Sequence, residues 1–357
     1  MNFLTAVLRL SILASIAIAA NADQKIYRLG DFTLESGEVL LDARLSYTTH
    51  GEINSEGSNV VLLPSFYLGD HHGYDFLIGQ DRALKPSEYF IVAVDMFQNG
   101  LSSSPSNTPP PHNGVNFPLI AIRDNVRAQK LLLNGLGVGG VKAVIGFSMG
   151  AQQAFQWGVS FPNSVEQLVP ICGSAVEHPH GVARLEGFKL AITTDQEYRN
   201  GRYETPPLAG LYSGAVHWTA WGTSQEWFRR EAWQELGVES LEGLYGFYYG
   251  LMTSWDANDL LALATTWQAN NVGDTPGFNG DYKRALSSIS AKVLYIPCET
   301  DMYFHIDAMA HEAEFLKNGR FLPLKSDWGH LAGGGFAPQD AKFLNAAIHN
   351  FLTEPAD

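Results

Sequence analysis

Gly146-Phe147-Ser148-Met149-Gly150 constrains this chain more than any other stretch, because of what flanks it. The apolar run Val141–Ile145 reads as a strand directly before it, and Ala151–Trp157 reads as a helix directly after it. A turn that tight forces a strained backbone at the serine. Gly146 and Gly150 allow strand and helix to approach closely, which leaves the Ser148 hydroxyl exposed at the sheet edge. The first amides of the helix then stand beside any developing oxyanion. An ordinary helix N-cap serine is the alternative reading.

The rest of the chain alternates in the same manner. Ile26–Leu34 and Ala43–Thr49 read as a hairpin that turns near Gly37, and Asn59–Leu63 and Tyr89–Val94 as short buried strands. Ser102–Gly114, rich in Pro, Ser and Asn, reads as a loop flanking a site. Ile122–Leu136 is an amphipathic helix and Gln167–Ile171 a strand. From His178 to about Ser290 the pattern breaks into Trp, Tyr, Gly and helix formers with no clear strand. It resumes with strand Val293–Pro297, helix Phe304–Leu316, strand Arg320–Leu324 and helix Pro338–Phe351. The expected architecture is one doubly wound α/β domain, residues 23–177 and 291–357, interrupted by a helical lid insertion over 178–290.

A serine hydroxyl is a weak nucleophile at neutral pH and needs a base that is itself oriented by an acid. Behind an elbow of this type the acid follows a later strand and the histidine the next one. Asp301 lies just past "KVLYIPCET" and His330 lies in "KSDWGH", where that order requires them. Glu299 and Asp327 are rival acids; His305 and His311 are rival bases. His305 opens a helix, His311 sits within it, and Asp327 reads as a turn residue. The expected triad is Ser148, Asp301 and His330.

Composition removes several other functions. With 23 basic against 37 acidic residues the net charge is −14, which repels nucleic acid and anionic lipid. Two cysteines, Cys172 and Cys298, cannot build a disulfide scaffold or a cysteine-rich zinc site, and they are expected to be free buried thiols. Asp70-His71-His72 with Asp75, and His178 with His180, suggest metal ligands, but adjacent loop histidines point in different directions and no metal is expected. "NGLGVGG" at 134–140 follows a helix and precedes a strand, the reverse of a dinucleotide loop. No cofactor is expected. Arg9, the apolar run Leu10–Ala20 and Ala20-Asn21-Ala22 read as a signal peptide over residues 1–22. Export to the periplasm or medium follows, with the mature chain starting at Asp23 and no lasting membrane association.

With these residues placed, the chain resembles the homoserine O-acetyltransferase-like branch of the α/β-hydrolase superfamily. "LSYTTHGEINSEGSNVVLLPSF", "DFLIGQDRALKPSEYFIVAVDMF", "IRDNVRAQKLLLNGLGV", "GFSMGAQQAFQWGVSFP", "CETDMYF" and "WGHLAGG" carry the resemblance from about Tyr27 to Phe351. It implies a helical lid, a homodimer formed through that lid, and the same triad. It also implies an oxyanion hole from the backbone N–H of Met149 and of Tyr67, with Phe66 the neighbouring candidate. Two departures bear on the acceptor. Homoserine acetyltransferases carry G-G-S-M-G-G and an aspartate after the catalytic histidine that holds the substrate ammonium. Here the elbow is "GFSMGA" and Leu331 follows His330. The expected function is therefore hydrolysis of a carboxylic ester through an acyl-serine intermediate. CoA-dependent acyl transfer is the second reading, and a silent binding protein the third. The lid residues Trp218, Trp221, Trp227, Trp233, Trp255, Trp267, Tyr245, Phe247, Tyr248 and Tyr249 divide between packing and pocket in a way that spacing does not sort.

Overall fold

The computed structural model describes residues 24–354, so the signal peptide expected over 1–22 lies outside the described residues. Its centre is a sheet of eight strands in the order β1-β2-β4-β3-β5-β6-β7-β8. Strands β1 (Lys25–Thr33) and β2 (Val39–His50) form the expected hairpin, and β2 pairs antiparallel with β4 (Phe90–Val94). From β4 onward, β3 (Val60–Pro64), β5 (Val141–Phe147), β6 (Val165–Ile171), β7 (Lys292–Tyr295) and β8 (Gly319–Phe321) are parallel. Every side chain of β3 is buried, as a strand covered on both faces requires.

Several boundaries differ from the sequence reading for local reasons. The second hairpin strand begins at Val39 rather than Ala43, because an irregularity in the pairing with Asp42 at φ 48° breaks the alternation that marks a strand in sequence. The last two strands are shorter than expected. Pro297 and Pro323 have no N–H for the ladder, and pairing continues past them as one isolated bridge, Cys298 to Leu324. Cys172 and Cys298 are free and buried.

Helices α1 (Ile122–Gly135) and α2 (Met149–Ser160) pack together against the sheet. Between them runs a buried amide chain: Trp157 Nε1 donates to Gln129 Oε1 (2.8 Å), Gln129 Nε2 to Gln153 Oε1 (2.6 Å), and Gln153 Nε2 to the Ser65 carbonyl (2.8 Å). This chain fixes the helix behind Ser148 relative to the loop that follows β3. Between β6 and β7 come α3 (Pro179–Thr193), α4 (Leu208–Thr219), α5 (Gln225–Arg229), α6 (Leu241–Thr253), α7 (Ala257–Gln268) and α8 (Tyr282–Leu286). α9 (Ile306–Ala313) and α10 (Pro338–Thr353) complete the core. The Ser102–Gly114 loop does not line the cavity at Ser148. Its buried serines instead tie it to β2, and Ser106 donates to Asp259 on α7 (2.6 Å).

Asp95, fully buried just past β4, organises the loop after β3. Its carboxylate accepts from Ser46 Oγ (2.6 Å), the His71 N–H (2.9 Å) and Asn99 Nδ2 (3.1 Å), and lies 2.7 Å from His71 Nδ1. Burial opposes a charged His71 ring, but the hydrogen bond and charge of Asp95, with Asp70 and Asp75 nearby, raise its pKa. Removing the carboxylate strands these donors in the interior. Asp95→Ala is expected to lose about 3–5 kcal/mol of stability in denaturant titration; a loss under about 1 kcal/mol would refute the account.

Glu177 sits where the insertion leaves the core. Its N–H donates to the Asn270 carbonyl (2.8 Å) and Val272 N–H to the Ala175 carbonyl (3.0 Å), so the start of the insertion is clamped to the segment that follows α7. The Glu177 carboxyl accepts from Trp267 Nε1 (2.7 Å) and Gln152 Nε2 (3.3 Å). Burial pushes its pKa up to about 8, against the opposing pull of Arg184, the Trp267 hydrogen bond and His178. The unfolded carboxyl releases its proton above about 4.5, whereas the folded one holds it to about 8, so stability falls as pH rises through that window. Asp259, pushed to about 7 by burial, adds to the same trend. Glu177→Gln keeps an acceptor and cannot ionise. Thermal melts should show it several degrees above wild type at pH 9 and level with it near pH 5; a gap independent of pH would contradict this assignment.

Candidate active site

Strand β5 hands over to α2 in a single residue, Ser148, at φ 57° and ψ −123°. A side chain rarely tolerates that conformation, and here neighbouring contacts impose it. A Cβ at Gly146 would overlap the Gly150 carbonyl, and one at Gly150 would come within 2.5 Å of Tyr74 Oη and 2.7 Å of the Pro64 carbonyl. Tyr74 closes the turn, donating to Pro64 O (2.7 Å) and accepting the Phe147 N–H (2.9 Å). The glycines flanking Ser148 are therefore required by close approach.

The structure brings the three spaced residues together. His330 Nε2 lies 2.9 Å from Ser148 Oγ, and His330 Nδ1 lies 2.8 Å from Asp301 Oδ2. Asp301 Oδ1 accepts the N–H groups of Tyr303 (2.7 Å) and Phe304 (3.1 Å), which leaves Oδ2 aimed at the imidazole. All three side chains are buried, and the His330 ring rests among Phe147 (4.7 Å), Tyr303 (4.6 Å) and Phe304 (5.6 Å). The rivals sit elsewhere. Asp327 pairs with Arg230, Glu299 is exposed, His305 caps α9, and His311 faces Glu314.

Met149 is the first residue of α2, so its N–H has no carbonyl one turn back within the helix. Tyr67 and Phe66 form no backbone hydrogen bond through their N–H groups among the described residues, and both line the cavity at Ser148. The Tyr67 ring stacks on Trp218 at 4.8 Å and its hydroxyl donates to Leu260 O (3.1 Å), anchoring this loop to the insertion. The Asp70–Asp75 stretch splits its imidazoles: His71 turns inward to Asp95 and His72 outward to Asp75 at 3.1 Å.

The cavity at Ser148 holds about 90 Å³ and is walled by Leu331, Phe336, Tyr248, Leu251, Trp218, Trp267 and Tyr303, among others. Apart from His330, no lining residue carries an ionisable acid or amine. Six of the ten aromatics named in the insertion take distinct places. Trp218, Trp267 and Tyr248 face the cavity; Trp227 and Trp233 pack on each other and on Trp328 or Phe228. Phe247 is exposed. Tyr303 and Phe336 also face the cavity, and sequence reasoning missed both. Tyr303 lay in plain view two residues past the acid, but nothing in its spacing reveals which way its ring turns.

This arrangement can activate a serine hydroxyl against an uncharged carbonyl compound in a dry pocket. Comparison with known proteins gives the same class. Residues 59–333 match the family model described as alpha/beta hydrolase fold. An ethyl acetate hydrolase of Pseudomonas veronii is 36% identical over 337 residues, covering 93% of this chain and 96% of that protein. The crystal structure of an acetylester hydrolase from Corynebacterium glutamicum superposes with a TM-score of 0.89 at 33% identity, covering 93% and 96% of the two chains. A homoserine O-acetyltransferase of Symbiobacterium thermophilum is 30% identical, covering 90% and 91%. The chain belongs to the α/β-hydrolase superfamily, in the branch that contains homoserine O-acetyltransferases alongside esterases.

Proposed function

We propose that this enzyme hydrolyses small, uncharged carboxylic esters through an acyl-serine intermediate. The observation that carries the reading is the cavity itself, small and with no Asp, Glu, Lys or Arg on its wall. Homoserine is a zwitterion, and burying its ammonium or carboxylate without a counter-charge is costly. Leu331 stands on the wall beside His330. Typical ligand pockets run to about 300–1,000 Å³, so a space this size suits a short acyl group. The relatives named as hydrolases of ethyl acetate and of acetyl esters support the same substrate class.

Ser148 Oγ attacks the ester carbonyl while His330 Nε2 takes its proton. Asp301 holds the imidazole in the tautomer with Nδ1 protonated and stabilises the imidazolium. The N–H groups of Met149 and Tyr67 receive the oxyanion. His330 then protonates the leaving alcohol, and the same imidazole activates the water that releases the acid. Acyl transfer from acetyl-CoA uses every one of these groups, so only the acceptor separates the two reactions.

One mixture tests this: enzyme, acetyl-CoA, homoserine and a chromogenic acetyl ester, with both products quantified. Ester hydrolysis is expected to dominate, and Ser148→Ala to reduce it on the order of 10⁴- to 10⁶-fold. O-acetylhomoserine forming faster than ester is cleaved would restore the transferase reading.

We also propose that residues 178–290 act as the lid, that the chain is exported, and that two copies pair through that lid. Leu190 on α3, Leu208 and Tyr212 on α4 and Phe247 on α6 leave large apolar side chains exposed there. Native mass spectrometry of protein secreted from its host should give twice the mass of a chain starting at Asp23. A monomer, or a chain retaining Met1, would contradict the corresponding part.

A further inference from the structure

Arg184, on α3, is among the most buried charged residues of the protein, at 4% exposure. Among the described residues nothing accepts a hydrogen bond from its Nε, Nη1 or Nη2. A buried cation normally finds a carboxylate or several carbonyls. The Glu177 and Asp301 carboxylates act on this one through their charge without a hydrogen bond, and what its guanidinium touches is aromatic: its Cζ lies 4.1 Å from the centre of the Tyr303 ring, 4.7 Å from Trp267 and 5.6 Å from Trp218. Cation–π attraction of this kind strengthens when the cation is desolvated.

Those three rings are also the cavity wall. Each is in turn attached to the catalytic apparatus. Tyr303 follows Asp301 closely, donates its N–H to that carboxylate, and lays its ring 4.6 Å from the His330 imidazole. Trp218 stacks on Tyr67, which stands in the loop facing Ser148. Trp267 stacks on Phe304 at 5.4 Å, the other residue whose N–H binds Asp301. The three rings come from three different elements and meet one another edge-on, Trp218 with Tyr303 at 5.5 Å, Trp267 with Tyr303 at 5.9 Å and Trp218 with Trp267 at 6.1 Å, and one guanidinium lies against all of them.

Resting on the ester-hydrolase reading above, we propose that Arg184 is a positioning residue: its caged guanidinium holds Tyr303 against the His330 imidazole and so sets the geometry of proton transfer from Ser148. The residue touches no reacting atom. Its loss leaves the pocket able to take substrate but loosens the base, so the cost falls on turnover and not on binding.

The test measures the rate constant for phosphonylation of Ser148 by a fluorophosphonate, per titrated site, beside kcat and KM for an acetyl ester. Counting only reactive sites removes any contribution from unfolded protein. Arg184→Met is expected to lower the per-site rate constant and kcat tenfold or more, with KM within threefold. In a Tyr303→Leu background the same substitution should change them less than twofold, because the link it acts through is already gone. A rate constant for Arg184→Met within twofold of wild type, an effect confined to KM, or full additivity with Tyr303→Leu would overturn the proposal. If Arg184→Met yields no titratable sites, Arg184→Lys carries the test. Its ammonium keeps the charge but not the planar stack, so a loss of threefold or more supports the proposal and a smaller one overturns it. Failure of the wild-type enzyme to be labelled at Ser148 would instead overturn the hydrolase reading, and so the two failures are distinguishable.

Discussion

The close approach of β5 and α2 at Ser148 is the constraint from which the rest of the site follows. The turn leaves no room for a side chain at Gly146, and Tyr74 and the Pro64 carbonyl close off the space at Gly150. Ser148 is left at φ 57°, with its hydroxyl 2.9 Å from His330 Nε2. Strain of that kind persists only where the surroundings over-determine it. They do so here through Tyr74, which bridges β3 to the turn, and through the glutamine chain, which joins α1, α2 and the loop after β3. The nucleophile and the neighbouring loop amides are consequently placed by one polar lattice buried under the site.

That lattice also explains where charge is allowed. The cavity wall is aromatic and aliphatic, whereas the buried ionisable groups stand one layer behind it: Asp95 under the loop after β3, Glu177 under Trp267, and Arg184 under Tyr303. Each is satisfied or caged away from the substrate space. An uncharged ester meets an apolar wall and the triad, and in such a setting the electrostatics of the Asp301–His330 pair are screened less than in open solvent.

Much of this was legible in the sequence. Period and punctuation marked the strands that are covered on both faces, and the glycines around Ser148 announced the elbow because no other residue permits that approach. Asp301 and His330 were found by chain order, since each follows a strand at the same edge of the sheet. Strand ends at Asp42, Pro297 and Pro323 were misjudged where a bulge or a missing N–H, rather than hydrophobicity, decides pairing. The roles of Ser102–Gly114, Glu177 and Arg184 were not legible. Their partners lie far along the chain, as Ser106 with Asp259 and Glu177 with Trp267, and no local pattern encodes a pairing across that separation.

Under the proposed function, the side chain beside the catalytic histidine, and not the triad, is what sets the acceptor. Leu331 follows His330 directly, and its N–H donates to the Gly222 carbonyl of the insertion at 3.3 Å. This position on the cavity wall is therefore also a point where core and insertion are joined. A carboxylate placed there would bring a charge into a wall otherwise built from Tyr248, Leu251, Trp218 and Phe336. Such a charge is tolerable only when an ammonium arrives to meet it. With leucine in its place the wall is complete without a ligand, and water, small and neutral, reaches the acyl-enzyme without needing a counter-charge. The same chemistry at Ser148 thus ends in a carboxylic acid.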